Sequence, residues 1–340
     1  MGVSTLIRNV SRRIVGLVVT LVLVDAIRSQ DSSANSKSAG TLRRAIDDDY
    51  SHRDRLKIDW KKRFEEFEPR FLAAADKEQF SKIAVEFLSA AKDLHIWIKD
   101  GNRTIGTHKA DLRPNFNPRL LPRLMPQLKQ IGKIAVVGGW PDGIRYVAIG
   151  TWDDRDPASM KTAVAAVKDA AEAKAPLIID VRPNTGGNEM RAREVAAFFV
   201  SKPTPYSKHV TRAKGKDSPV QNRVLPPDQS GVLHPGPCVV LMGPANMSSC
   251  ESFLLMMRSA GCTLIGAKSA GSSGNPKPHD LGNGLVVMLP SWRDLSMDGR
   301  GLEGVGVDPN IVVDTKPGDF GTADPVLAKA LEHLRSQAQK

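Results

Sequence analysis

Little in this sequence supplies a stacking platform or a metal cage. Aromatic residues make up 5% of the chain and only three are tyrosine, which argues against a surface that stacks nucleic-acid bases. Three cysteines cannot build a disulfide framework, and no C-x-x-C pair points to structural zinc. The longest apolar run, Ile14 to Val24, covers about half of the roughly 20 residues that a membrane-spanning helix needs. No segment repeats with a period of 20–50 residues, so a solenoid is not expected. Against these absences stands an ordinary globular composition, 41% hydrophobic and 25% charged, which excludes a disordered or fibrous chain. The net charge of +11 favours acidic partners but does not dictate fold. No basic helix interleaved with aromatics accompanies it, so no nucleic-acid partner is expected.

Arg8, Arg12 and Arg13 precede the short apolar run, and Val24 and Ala26 follow as a V-x-A site. A basic lead, a short apolar stretch and small residues at its end form a cleavable secretory signal. The expectation is a signal over residues 1–26 and an exported protein, periplasmic or extracellular, with no stable membrane insertion after cleavage. An uncleaved anchor is the alternative. Export permits disulfides, and Cys238 and Cys262 each open a short apolar strand. Buried free thiols are the favoured reading.

Residues 27–46, rich in Ser, Ala and charge, read as a flexible leader. A helical subdomain is expected over 47–111. There Leu56, Trp60, Phe64, Phe67 and Phe71 recur at three- and four-residue steps, Pro69 reads as a break, and Phe80, Ile83, Phe87, Leu88 and Ala91 keep the same period. A short strand around His95 to Ile98 ends it. A proline-rich connector, 112–142, leads to the core, 143–340. Strands are expected at 145–150, 177–181, 238–242, 263–266, 285–289 and 310–313, with helices at 157–174, 188–200, 250–260 and 324–336. Continuously apolar strands separated by helices indicate a mostly parallel sheet covered on both faces. Residues 202–237 show no clear period and read as a surface excursion.

Three strand ends can carry chemistry. LIIDVRPNTGGNEM runs a buried strand into Asn184, Thr185, Gly186 and Gly187, then a helix. Paired glycines let backbone approach a ligand, and a helix N-terminus offers unpaired N–H donors to negative charge. CVVLMGPANMSSCESF places Ser248 and Ser249 on a tight strand-to-helix turn. A serine there is exposed, and the N–H beside it can stabilise the oxyanion of acyl transfer. Ser248-x-x-Glu251 also matches a capping box, in which the serine only caps the helix. In DLHIWIKDG, His95 enters a strand next to Asp93; a lone histidine is more often structural than catalytic.

Taken in order, DLHIWIKDG, DGIRYVAIGTW, LIIDVRPNTGG, GPANMSSCESF, TLIGAKSAGSSGNPKP and GRGLEGVGVDPNIVV resemble the carboxy-terminal processing (tail-specific) serine proteases. Within them, the sequence looks most like the branch of the tricorn protease core and interphotoreceptor retinoid-binding protein. The resemblance covers roughly residues 56–336 and implies an α/β fold: a crotonase- or ClpP-like core with a mostly parallel sheet, preceded by a helical N-terminal subdomain. It implies Ser248 as nucleophile, in register with Glu251, and the N–H groups of Ser249 and of Gly186 or Gly187 as oxyanion donors. Ser272 stands where tail-specific members carry a catalytic lysine, and Lys268 matches only an earlier, non-catalytic one. The tricorn-like branch uses a histidine and a distant glutamate, matched by context by His95 and Glu303. Leu94 replaces the serine that precedes that histidine in the branch. The segment from Gly101 to Gly143 is too short for the PDZ domain of many tail-specific members.

The resulting expectation is an exported serine-type peptidase acting on protein or peptide substrates, with neither cofactor nor metal and with its oligomeric state open. The alternative is a non-catalytic binding protein for a ligand or peptide on the same scaffold.

Overall fold

The computed structural model describes residues 33–125 and 127–338, which divide into two compact units. The first holds residues 33–109, 213–215 and 276–289, and the second holds the remainder. The signal expected over 1–26 lies outside the described residues. Among those described, no helix is long and apolar enough to cross a membrane.

The second unit is built on a seven-stranded sheet. Its order is Ile311–Val312, Thr263–Gly266, Cys238–Met242, Leu177–Asp180, Arg145–Ile149, Ala135–Gly139, Gln127–Ile131. The first five strands run parallel and the last two antiparallel. The central strands are buried on both faces, as their unbroken apolar runs require. Leu177, Ile179, Val240, Met242 and Leu264 meet helices Pro157–Glu172, Glu189–Ala196 and Ser249–Ser259. Ile178, Val239, Leu241 and Ile265 face the opposite way, toward the C-terminal helix Pro325–Ala338. Parallel strands in this arrangement point their C-terminal ends toward one edge, where loops collect. The Asn184–Gly187 and Gly243–Ser248 turns both leave from that edge.

Two expectations for this unit are corrected. The connector read over 112–142 contributes both antiparallel strands, Gln127–Ile131 and Ala135–Gly139; they are short and largely half-exposed, so they lack the apolar run that marks the others. The excursion at 202–237 contains a ten-residue strand, Thr204–Ala213, which pairs with Gln221–Leu225 and Trp292–Leu295. Pro205 and a run of polar residues mask its alternation. Cys238, Cys250 and Cys262 are buried free thiols.

The first unit packs helices over a four-stranded sheet ordered Pro276–Asp280, Leu285–Pro290, Trp97–Asp100, Arg103–Gly106. Its core is aromatic: Tyr50, Trp60, Phe64, Phe67, Phe71, Phe80 and Phe87 are buried together. Here too the sequence reading needs correction. Residues 33–49 are helical and bury Ala39, Leu42, Ala45 and Ile46, so most of the expected leader is helix and one face of it joins the core; the small residues hide a helical three-and-four spacing. Residues 27–32 lie outside the described residues. Pro69 sits inside helix Trp60–Leu72, on its exposed side, where water can satisfy the Glu65 carbonyl that lacks an N–H partner. The strand expected at 285–289 forms, but it pairs antiparallel with Trp97–Asp100, because an apolar run does not say which sheet it joins.

Candidate active site

Strand Cys238–Met242 stops just before Gly243, and six residues after that glycine helix Ser249–Ser259 begins. The chain makes that reversal through Ser248, which has φ +58° and ψ −134° and whose side chain caps nothing. Such backbone is costly for a residue with a Cβ and persists only where the surroundings enforce it. The enforcement is visible. Ser248 N–H donates to the Ser272 carbonyl at 2.6 Å, and Asn246 Oδ1 accepts from Gly243 N–H at 2.7 Å. The Asn246 amide donates to the Val181 and Asn184 carbonyls, tying this turn to the Asn184–Gly187 turn. The capping-box reading of Ser248 and Glu251 is therefore overturned: neither side chain reaches the other's backbone.

The Asn184–Gly187 turn lies directly against this serine. Gly186 has φ +108°, and a Cβ on it would fall 2.8 Å from Ser248 Cβ, so only glycine permits the approach. Gly186 N–H already donates to Asn184 Oδ1 at 2.8 Å. Gly187 N–H and Ser249 N–H, by contrast, meet no acceptor among the described residues. Ser249 Oγ donates to the Gly187 carbonyl at 2.9 Å and holds the two turns together. Of the glycine pair, Gly187 is the one with a donor to spare, and Ser249 N–H lies at the positive end of an eleven-residue helix.

Glu251, fully buried, braces the far side of the turn. It accepts hydrogen bonds from the Ser269 hydroxyl, from Gly271 N–H at 2.8 Å and from Ser272 N–H at 2.9 Å. Burial nonetheless raises its carboxyl to about 8. Glu303 accepts from Ser273 N–H at 3.0 Å, so it sits one residue from the carbonyl that holds Ser248. Lys268 is exposed and paired with Asp308 at 2.8 Å.

His95 belongs to the first unit. It is buried, its N–H donates to Asp93 Oδ1 at 2.8 Å, and Asp93 Oδ2 accepts from the Tyr50 hydroxyl at 2.9 Å. Burial lowers the imidazole to about 4, so the ring is neutral at pH 7.

A recess of about 280 Å³ opens beside Ser248, lined also by Ser252, Ser273, Trp292 and Asp294. The sequence reading missed these residues and Asn246. Asn246 lies within the GPAN segment that was singled out; Asp294 lies on a short strand with no distinguishing pattern. Among the described residues, no group of three or more His, Cys, Asp or Glu side chains could hold a metal ion.

No curated protein matches the chain. Among solved structures, a Parabacteroides merdae protein assigned as a peptidase is 20% identical at a TM-score of 0.74, covering 88% of this chain and 96% of its own. The photosystem II D1 C-terminal processing protease is 14% identical at 0.55, covering 88% and 97%. The tricorn protease is 14% identical at 0.59, covering 92% of this chain but 37% of that one. At such identities these structures establish the fold, an α/β core with a mostly parallel sheet and N-terminal helices. The family model for Peptidase family S41 matches residues 143–313, half the chain, and encloses the Asn184–Gly187 turn, Ser248 and Glu303. The chain belongs to peptidase family S41, a family of serine-type peptidases.

Proposed function

We propose that the protein is an exported serine peptidase that hydrolyses peptide bonds of protein or peptide substrates through an acyl-enzyme on Ser248. The observation that carries this reading is the uncapped Ser248 side chain on a strained strand-to-helix turn, with two uncommitted N–H donors, Gly187 and Ser249, beside it. A strained turn that presents a serine at the head of a helix is the nucleophile geometry of acyl-transfer enzymes.

In the proposed sequence, Ser248 Oγ attacks the scissile carbonyl carbon while its proton passes to neutral His95. The carbonyl oxygen takes up negative charge, and the Gly187 and Ser249 N–H groups stabilise it; one such donor is worth about 3–4 kcal/mol of transition-state energy. Collapse of the tetrahedral species breaks the C–N bond, and His95 returns its proton to the departing amine. A water then repeats the attack on the acyl-serine and restores the free hydroxyl. Glu303 supports the histidine, and Asp93 and Tyr50 position its backbone. Export rests on the basic, apolar and V-x-A features of residues 1–26.

Ser248→Ala is expected to abolish peptide hydrolysis while leaving the circular-dichroism spectrum and melting temperature unchanged, and a fluorophosphonate probe should label wild type at Ser248. Peptidase activity that survives in the variant removes the assignment. A wild-type protein that neither cleaves nor is labelled, yet binds peptide, establishes the alternative, a binding protein on the same scaffold.

A further inference from the structure

The recess beside Ser248 holds more polar capacity than the protein itself uses. Asp294 is buried, with its side chain 5% exposed. Its Oδ1 accepts from Arg223 Nη1 at 2.9 Å, while Oδ2 accepts no hydrogen bond among the described residues. Ser273 is 2% exposed, and its hydroxyl has no partner. A buried polar atom left without a partner is destabilising by about 1–3 kcal/mol; the Ser273 hydroxyl is one, and Asp294, with an oxygen that no protein donor takes, lines the same recess beside the nucleophile, so a ligand with donors can complete both. Neighbouring groups do not compete for this role. Both Glu189 oxygens are occupied, Oε1 by Arg193 and the Tyr206 hydroxyl, Oε2 by Arg223. Arg223 is 7% exposed and does not line the recess; its guanidinium lies 5.0 Å from the Trp292 ring centre and 5.4 Å from that of Tyr206. The cations thus sit behind the wall, and the recess itself presents a carboxylate oxygen and a hydroxyl.

We propose that this recess receives the substrate side chain next to the scissile carbonyl and selects a basic one, lysine or arginine. An open carboxylate oxygen requires a donor, and an ammonium or guanidinium supplies it with charge assistance. The Ser273 hydroxyl can accept a second N–H from the same head group, and Trp292 forms a flat wall along an aliphatic stem. An apolar side chain leaves the Ser273 hydroxyl unpaired and strips water from the Asp294 oxygen without replacing it, and a carboxylate side chain meets one of like charge, so each is rejected. At about 280 Å³ the recess lies just below the range of small-molecule pockets, a size for one side chain rather than several.

This assignment rests on Ser248 being the nucleophile, and the test separates the two. Peptides differing only at the residue before the scissile bond (Lys, Arg, Gln, Leu, Glu) are compared by kcat/KM, in parallel with the rate of fluorophosphonate labelling of Ser248. Lys and Arg peptides should lead Leu and Glu peptides by at least about tenfold. In Asp294→Asn that lead should collapse toward the Gln peptide while labelling persists. Ser273→Ala, which leaves the Arg223 cluster intact, should weaken the lead by a few-fold, mainly through KM. A wild-type preference for Leu, or a lysine preference that survives both variants, overturns the proposal. Should wild type cleave nothing and resist labelling, the catalytic reading fails, and equilibrium binding of the same peptides decides the recess: tighter binding of Lys than Leu upholds it, and equal binding ends it.

Discussion

Asp93 in the first unit and Glu251 in the second are both fully buried carboxyl groups that brace a segment carrying proposed chemistry, yet they ionise differently. Glu251 accepts from three neutral donors, the Ser269 hydroxyl and the N–H groups of Gly271 and Ser272, and is raised to about 8. Asp93 accepts from two, His95 N–H and the Tyr50 hydroxyl, and is raised only to about 6. Burial is the dominant cause in both. The hydrogen bonds offset part of it in each, and the smallest contributions differ in sign: Arg55 favours the Asp93 carboxylate, whereas Asp294 disfavours that of Glu251. In both, donors that fix the geometry well leave the desolvation only partly offset, and the carboxyl stays raised.

The most severe way to break this contrast is Glu251→Ala. It strands the Gly271 and Ser272 N–H groups in the interior, at about 1–3 kcal/mol each, and frees the loop whose Ser272 carbonyl holds Ser248 N–H. Peptide hydrolysis should fall by orders of magnitude with a clear drop in melting temperature. A variant that keeps wild-type kcat/KM would show that the brace has no bearing on the nucleophile.

A subtler test uses pH. A carboxyl raised from 4.5 to about 8 binds its proton in the folded state first, so its stabilising contribution is complete below about pH 4.5 and is lost as pH rises through 8. The loss is on the order of a few kcal/mol. Comparing wild type with Glu251→Gln by chemical denaturation cancels other titrating groups, and the slope is the readout, because the amide also loses its bond from Ser272 N–H. The gap between the two should move in favour of Gln from pH 5 to 8.5; a pH-independent gap refutes the raised value.

How far these features could be read in the sequence follows from the same physics. Strands Leu177–Asp180, Cys238–Met242 and Thr263–Gly266 were legible because burial on both faces demands an unbroken apolar run. Helix 33–49 was not, since the Ser and Ala residues ahead of Leu42 look like leader composition. Ser248 was legible as a serine at a strand–helix junction, but its φ of +58° was not, because the surrounding hydrogen bonds impose the strain and no residue type encodes it. The N–H of Gly187 could be told from that of Gly186 only once Asn184 Oδ1 was located. Asp294 and Arg223 were invisible for a related reason: a buried ion pair between residues 71 apart leaves no local pattern.

The gentlest probe is Tyr50→Phe, which removes one of the two donors to Asp93 and leaves His95 N–H in place. A hydrogen bond to the ionised form lowers a carboxyl pKa, so its loss should raise Asp93 above its present value of about 6. The bond is stronger to a carboxylate than to a neutral acid. Destabilisation should therefore be greater at pH 8, about 1–2 kcal/mol, than at pH 5, where Asp93 is already mostly protonated. Peptidase activity should decline far less than in Glu251→Ala. If denaturant unfolding gives equal losses at both pH values, the Tyr50 hydroxyl does not act through the charge of Asp93, and the brace on the histidine segment reduces to the single backbone bond.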